Sequence, residues 1–207
     1  MTERFGSALS DAVRCWPTTD AAYTAYHDEE WGRPVTDERG LYERLCLEGF
    51  QSGLSWLTIL RKRENFRKAF ASFDPEKVAR YGEKQIGRLL GDAGIVRHRG
   101  KIEATIANAR GTLALREAGT PLHELVWEYR RDGPATTTWV AETPESRELS
   151  KRLKAAGFRF VGPTTVYAAM QACGVVNDHL ATCIVRDDVE RVRQGLPAAA
   201  SAARSPS

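Results

Sequence analysis

The chain has 207 residues, with 30 Lys and Arg against 27 Asp and Glu, a net charge of +3, and 42% apolar residues. That is enough to build a core without disulfides, and it excludes a disordered chain or a coiled coil. So small a positive excess announces no nucleic-acid partner by itself, and any such face must be local.

In chain order, the first residues, MTERFGSALSDAVR, contain no apolar signal-peptide core. No stretch approaches the roughly 20 apolar residues of a spanning helix, so a cytoplasmic location is expected. The helical period dominates from residue 38 to about 194. Between Glu38 and Gly49, the residues Leu41, Leu45 and Glu48 share one stripe. Asp74-Pro75 predicts a short helix with Asp as N-cap and Pro at its first position. A longer helix begins near Gly100, with Ile102, Ile106, Ala109 and Leu113 on its apolar face. The region Arg130 to Thr138 reads as loop, with a little alternation around Thr136 to Val140. Thr143-Pro144 starts another helix, striped by Leu149, Leu153 and Ala156 and ended by Gly157. Gly162-Pro163 opens the next, with Val166, Ala169, Met170 and Cys173 in line. The final LPAAASAARSPS has little to bury and is expected to be disordered. The predicted class is all-α.

The stretch SRELSKRLKAAGFRFVGPTTVYAAMQACGVVND thus reads as helix, tight hairpin, helix. The second helix turns its first N–H groups, at Gly162, Thr164 and Thr165, toward an anion such as a DNA phosphate; an ordinary helical turn is the equally good alternative. Arg97, His98, Arg99 and Lys101 form the densest short basic group, either a phosphate-binding patch or a solvated helix entry.

Glu48 lies on an apolar face, where an unpaired carboxylate is expensive to bury. Tyr23, Tyr26, Trp31 and Trp56 lie within 35 residues of it, with Trp16 close by. An acid among aromatic rings suits a flat cationic heterocycle, although an aromatic core would use the same residues. Cys15 and His27, with His179 and Cys183, supply two thiolates and two imidazoles, a complete tetrahedral Zn2+ set with no open position for water. Such a site would be structural and would join the two ends of the chain. No CxxC pair is present, and Cys46 and Cys173 read as core. His27-Asp28-Glu29 matches half of a zinc-deaminase signature, but the P-C-x-x-C half is missing.

The segments YTAYHDEEWG, CLEGFQSGLSWLTIL, KRENFRKAF, DAGIVRHRGKI and GFRFVGPTTVYAAMQACGVVNDH, with flanking Cys15 and Cys183, resemble the bacterial 3-methyladenine DNA glycosylase I family of the helix-hairpin-helix superfamily. They run in family order from about residue 15 to 185. The resemblance implies one helical glycosylase domain over residues 15–190, a helix-hairpin-helix at about 146–174, and a single structural zinc on Cys15, His27, His179 and Cys183. It implies an enzyme that flips 3-methyladenine out of alkylated double-stranded DNA and hydrolyses its glycosidic bond, acting as a monomer. Glu48 would then contact the flipped base, Trp56 would stack on it, and Tyr23 and Tyr26, with Trp16 and Trp31, would line the pocket. Ser52-Gly53-Leu54 would fill the vacated space with Leu54 as the wedge. Asn177-Asp178 stands where related glycosylases keep an essential Asp, and the resemblance implies that this family does not rely on it. A non-catalytic DNA binder and a zinc-dependent nucleobase hydrolase are the alternatives.

Overall fold

The computed structural model describes residues 13–131 and 140–196. Most of the expected loop from Arg130 to Thr138 and nearly all of the low-complexity tail lie outside the described residues. Among the described residues the structure is helical, with no strand. No helix is long and apolar enough to cross a membrane.

Helix α1 (Ala21–Ala25) is started by Asp20, whose side chain accepts from the Tyr23 amide, and it runs on into a wider π-helical turn, Tyr26–Glu30. Helix α2 (Glu38–Gln51) is capped by Asp37, which accepts from the Gly40 amide. It extends the predicted stripe to a helix buried on nearly all sides, from Leu41 and Tyr42 to Gly49 and Phe50. A helix apolar all round belongs at the centre of a domain. Accordingly, α2 packs on α3 (Trp56–Ala69), α6 (Arg99–Glu117), α7 (Leu122–Trp127) and α9 (Pro163–Ala172).

The start signals act as expected. Asp74 caps α4 (Pro75–Val78) through the Glu76 and Lys77 amides. Helix α5 (Glu83–Gly91) leads into α6, and Thr143 caps α8 (Pro144–Ala155) by a reciprocal exchange with Ser146. Gly157 ends α8 with φ +90°, a left-handed position that suits glycine. Helices α8 and α9 then pack on each other across residues 156–162. The last helix, α10 (Arg186–Gln194), returns toward the N-terminal segment, where Arg33 reaches Asp188 at 3.3 Å.

Two backbones cross closely near the N-terminal segment. A Cβ on Gly174 would lie 2.5 Å from the Gly32 carbonyl oxygen, and one on Gly32 would lie 2.8 Å from His179 Nε2. Glycine is required there by space alone.

Candidate active site

The N-terminal segment, α2, α3 and α9 converge on a cavity of about 240 Å3. Trp16, Tyr23, Tyr26 and Trp31 come from the segment before α2. Glu48 and Gln51, one turn apart, come from α2, Trp56 opens α3, and Ala168 and Gln171 come from one face of α9. The rings form a continuous wall: Trp16 to Tyr23 at 5.2 Å, Tyr23 to Tyr26 at 6.4 Å and Tyr26 to Trp56 at 5.2 Å between centroids.

Glu48 is only 6% exposed in this wall. Burial pushes its carboxyl up to about 8, against a smaller opposing pull from Arg44. Arg44, one turn earlier on α2, is committed elsewhere: its Nη2 donates to Glu30 at 2.9 Å, and its guanidinium lies over the Tyr26 ring at 5.6 Å. Glu30 also receives both ends of Arg63, at 2.6 and 2.8 Å. Burial thus favours the protonated form of Glu48, while Arg44 is paired through Nη2 with Glu30 and its buried Nη1 has no partner among the described residues. The buried indole nitrogens of Trp16 and Trp56 have no hydrogen-bond partner among the described residues. One acid in an aromatic slot is what a flat, cationic nitrogen heterocycle needs to be stacked and held by its edge.

Behind this wall, the ligand atoms of Cys15, His27, His179 and Cys183 lie within 4.8 Å of one another, all buried. His179 Nδ1 is 3.3 Å from each thiol sulfur, and His27 Nε2 is 3.5 Å from Cys183 Sγ. Zinc–sulfur and zinc–nitrogen bonds set at a tetrahedral angle separate S and N by about 3.6 Å, so the set fits such an ion. The outer ring nitrogens are held as ligand imidazoles require. His27 Nδ1 donates to Asp28 at 2.7 Å, with Asp28 held by Arg14, and His179 Nε2 donates to the Trp31 carbonyl at 3.0 Å. Burial pushes the Cys15 thiol up to about 12 and the His179 imidazole down to about 4. The cluster also touches the pocket: Trp31 lies 4.5 Å from the His179 ring and Trp16 lies 4.7 Å from the His27 ring. The other two cysteines, Cys46 and Cys173, are buried core residues as expected.

The turn between α2 and α3 exposes Leu54 (42%), and Gly53 before it adopts φ +80° with open space around its Cα. Lys101 corrects an expectation. Its side chain is buried, and Nζ donates to the carbonyls of Phe50 at 2.9 Å and Ser52 at 2.5 Å, capping the C-terminus of α2 instead of facing phosphate. A cation there offsets the negative end of the helix dipole and satisfies carbonyls left over at the helix end. Lys101→Met is therefore expected to lower Tm by about 5 °C, through orphaned carbonyls, while leaving the salt dependence of DNA binding unchanged. Melting curves and a salt titration of duplex affinity check both parts.

Arg99 is half exposed at the start of α6 and lies 3.2 Å from Glu83 and 3.4 Å from Glu103. His98 is the N-cap of α6, its Nδ1 accepting from the Lys101 amide at 3.2 Å. Gly162 caps α9 without a side-chain bond, with Thr164 exposed and Thr165 partly exposed in its first turn.

Sequence reasoning missed three lining residues. Gln51 could have been found from its position one turn after Glu48. Ala168 and Gln171 could not, because they reach the cavity only through the packing of α9 on α2. Asp178 is buried and accepts from Tyr167 Oη and from Gln171 Nε2 (2.7 Å), so it orients a pocket residue.

A family model described as "Methyladenine glycosylase" matches residues 16–187. The chain is 51% identical over 177 residues to "DNA-3-methyladenine glycosylase 1" of Escherichia coli strain K12, which covers 82% of this chain and 95% of that relative. Among solved structures, a crystal structure of 3-methyladenine DNA glycosylase I is 49% identical with a TM-score of 0.78, covering 83% of this chain and 98% of that one. A Staphylococcus aureus structure described as giving the structural basis of 3-methyladenine recognition is 38% identical with a TM-score of 0.77, covering 82% of this chain and 93% of that one.

Proposed function

Because the chain belongs to the methyladenine glycosylase family, we propose that it excises 3-methyladenine from alkylated DNA through the pocket around Glu48. The observation that carries the reading is a buried carboxyl, Glu48, set in a cavity walled by aromatic rings, its pKa raised by that burial. Methylation at N3 makes the adenine of a nucleotide cationic and a good leaving group. A flipped cationic base stacks on Trp56, with Tyr23 and Tyr26 lining the pocket beside it, and supplies a positive charge next to Glu48, so Glu48 ionises as the base enters. Unmodified adenine is neutral and forms no ion pair with a carboxylate, which makes this charge exchange the basis of selection.

Little acid–base machinery is then needed. The N9–C1′ bond breaks with its electron pair going to the base, which leaves neutral. The oxygen of a water bonds C1′ and its proton is released to solvent. Stacking on Trp56 and the Glu48 carboxylate orient the base in the aromatic slot. Leu54 occupies the gap in the duplex, while the first turn of α9 and the arginines at the start of α6 hold phosphates, in the manner of a helix-hairpin-helix. Cys15, His27, His179 and Cys183 would hold one zinc ion, which supplies only a fixed crosslink between the two ends of the chain. Double-stranded DNA as partner, a monomeric state, a single domain over residues 15–190 and a cytoplasmic location belong to the same proposal.

Incubating the chain with methylated duplex DNA and resolving the released bases by chromatography tests the reading. Free 3-methyladenine is the expected main product. DNA binding without any base release would make the chain a non-catalytic DNA binder and overturn the proposal.

A further inference from the structure

Phe160 stands out in the connection between α8 and α9. Its backbone has φ +56°, a left-handed conformation unfavourable for a residue with a Cβ and rare for a bulky aromatic. Its ring is nonetheless 38% exposed, while its neighbours Phe158 and Val161 are buried. The fold forces this arrangement from both sides. Asn108, itself buried, accepts from the Arg159 amide at 2.7 Å and donates to the Arg159 carbonyl at 3.2 Å. On the other flank the Ser150 hydroxyl donates to the Val161 carbonyl at 2.6 Å. Two buried polar side chains thus hold a strained residue with its ring toward solvent. Such strain persists only where the surroundings over-determine it, and it concentrates at working surfaces.

The ring's position says what it meets. It lies edge-on to His98 at 6.2 Å, and a Cβ on Gly100 would be 3.8 Å from it. The next residue, Lys101, holds the Ser52 carbonyl of the turn that presents Leu54. Phe160 and Leu54 are two of the large apolar side chains left exposed, and the Phe160 ring and the turn that presents Leu54 both adjoin the start of α6, where Arg97, Arg99 and Arg159 are also exposed. Arg99 is paired with Glu83 and, together with Arg159, with Glu103, carboxylates that phosphates would displace, and apolar tips beside such arginines suit a duplex whose bases are exposed by bending while its phosphates are held.

We propose that Phe160 is a second apolar contact with DNA, its ring packing on the base step next to the one opened by Leu54. This rests on the glycosylase reading. The test is Phe160→Gly, which removes the ring and relieves the backbone, beside Phe160→Leu, which keeps an apolar tip. For Phe160→Gly, affinity for a duplex carrying an abasic-site analogue should fall about tenfold, the worth of one lost base contact. Excision from methylated DNA should fall with it, Tm should stay within a few degrees, and binding of free 3-methyladenine, read by tryptophan quenching, should be unchanged. Phe160→Leu should keep most of the duplex affinity. Wild-type duplex affinity in Phe160→Gly, or parallel loss of free-base binding, would overturn the proposal. Absence of base release by the wild-type chain would instead sink the glycosylase reading.

Discussion

Glu48→Gln is expected to cut release of 3-methyladenine from methylated DNA by about 100-fold, the usual effect of removing one group that meets developing or fixed charge in a closed site. Gln keeps the shape and one acceptor but cannot ionise, so it loses the part of binding that depends on the cationic base. The same variant should be more stable than the wild type, in a pH-dependent way. The folded chain holds the Glu48 proton up to about 8, against its ordinary 4.5. The unfolded chain therefore releases that proton first, and stability present at low pH is lost as pH rises between those two values. Gln escapes this loss. The Tm of Glu48→Gln should match the wild type near pH 5 and exceed it by about 4 °C or more at pH 8. A variant that is slower and also less stable across that range would show that Glu48 is a structural residue.

The second large effect concerns the cluster. Cys183→Ala removes one member of the buried cysteine and histidine group that brings the segment before α2 against the segment after α9 and that is proposed to hold zinc. A structural ion held by four groups contributes its binding energy to folding, so Tm should fall by about 10 °C or more. Excision should be lost with it, since Trp16 and Trp31 rest on the two histidine rings. A tight chelator applied to the wild-type chain under mild denaturation should give the same result, restored by adding zinc. Metal analysis that finds no bound zinc, together with a Cys183→Ala variant that melts with the wild type, would overturn the assignment.

Much of this was legible in the residues. Local chemistry marked the helix starts at Asp74-Pro75, Thr143-Pro144 and Gly162-Pro163, because caps act within four residues and need no tertiary context. The stripe through Leu41, Leu45 and Glu48 revealed a buried acid but not that α2 is buried all round, since a period reports one face only. The ligand set was readable as chemistry, while its closure over 164 residues, from Cys15 to His179, is a tertiary fact. Lys101 was misplaced because a charge count cannot tell a lysine facing solvent from one bound by two carbonyls. Phe160 carried no signal: its backbone is held through Asn108, some fifty residues away, and through Ser150 on the preceding helix, pairings that appear only once the chain is folded.

The span of the cluster also sets when the site comes into being. During synthesis Trp16, Tyr23, Tyr26 and Trp31 leave the ribosome early, yet the histidine and cysteine that anchor them are among the last residues of the helical body. A nascent or truncated chain can pack α2, α3 and α6 on one another while its pocket wall remains unfastened. Excision is accordingly expected only of chains that reach Cys183, and a chain cut before His179 is expected to keep packed helices without activity.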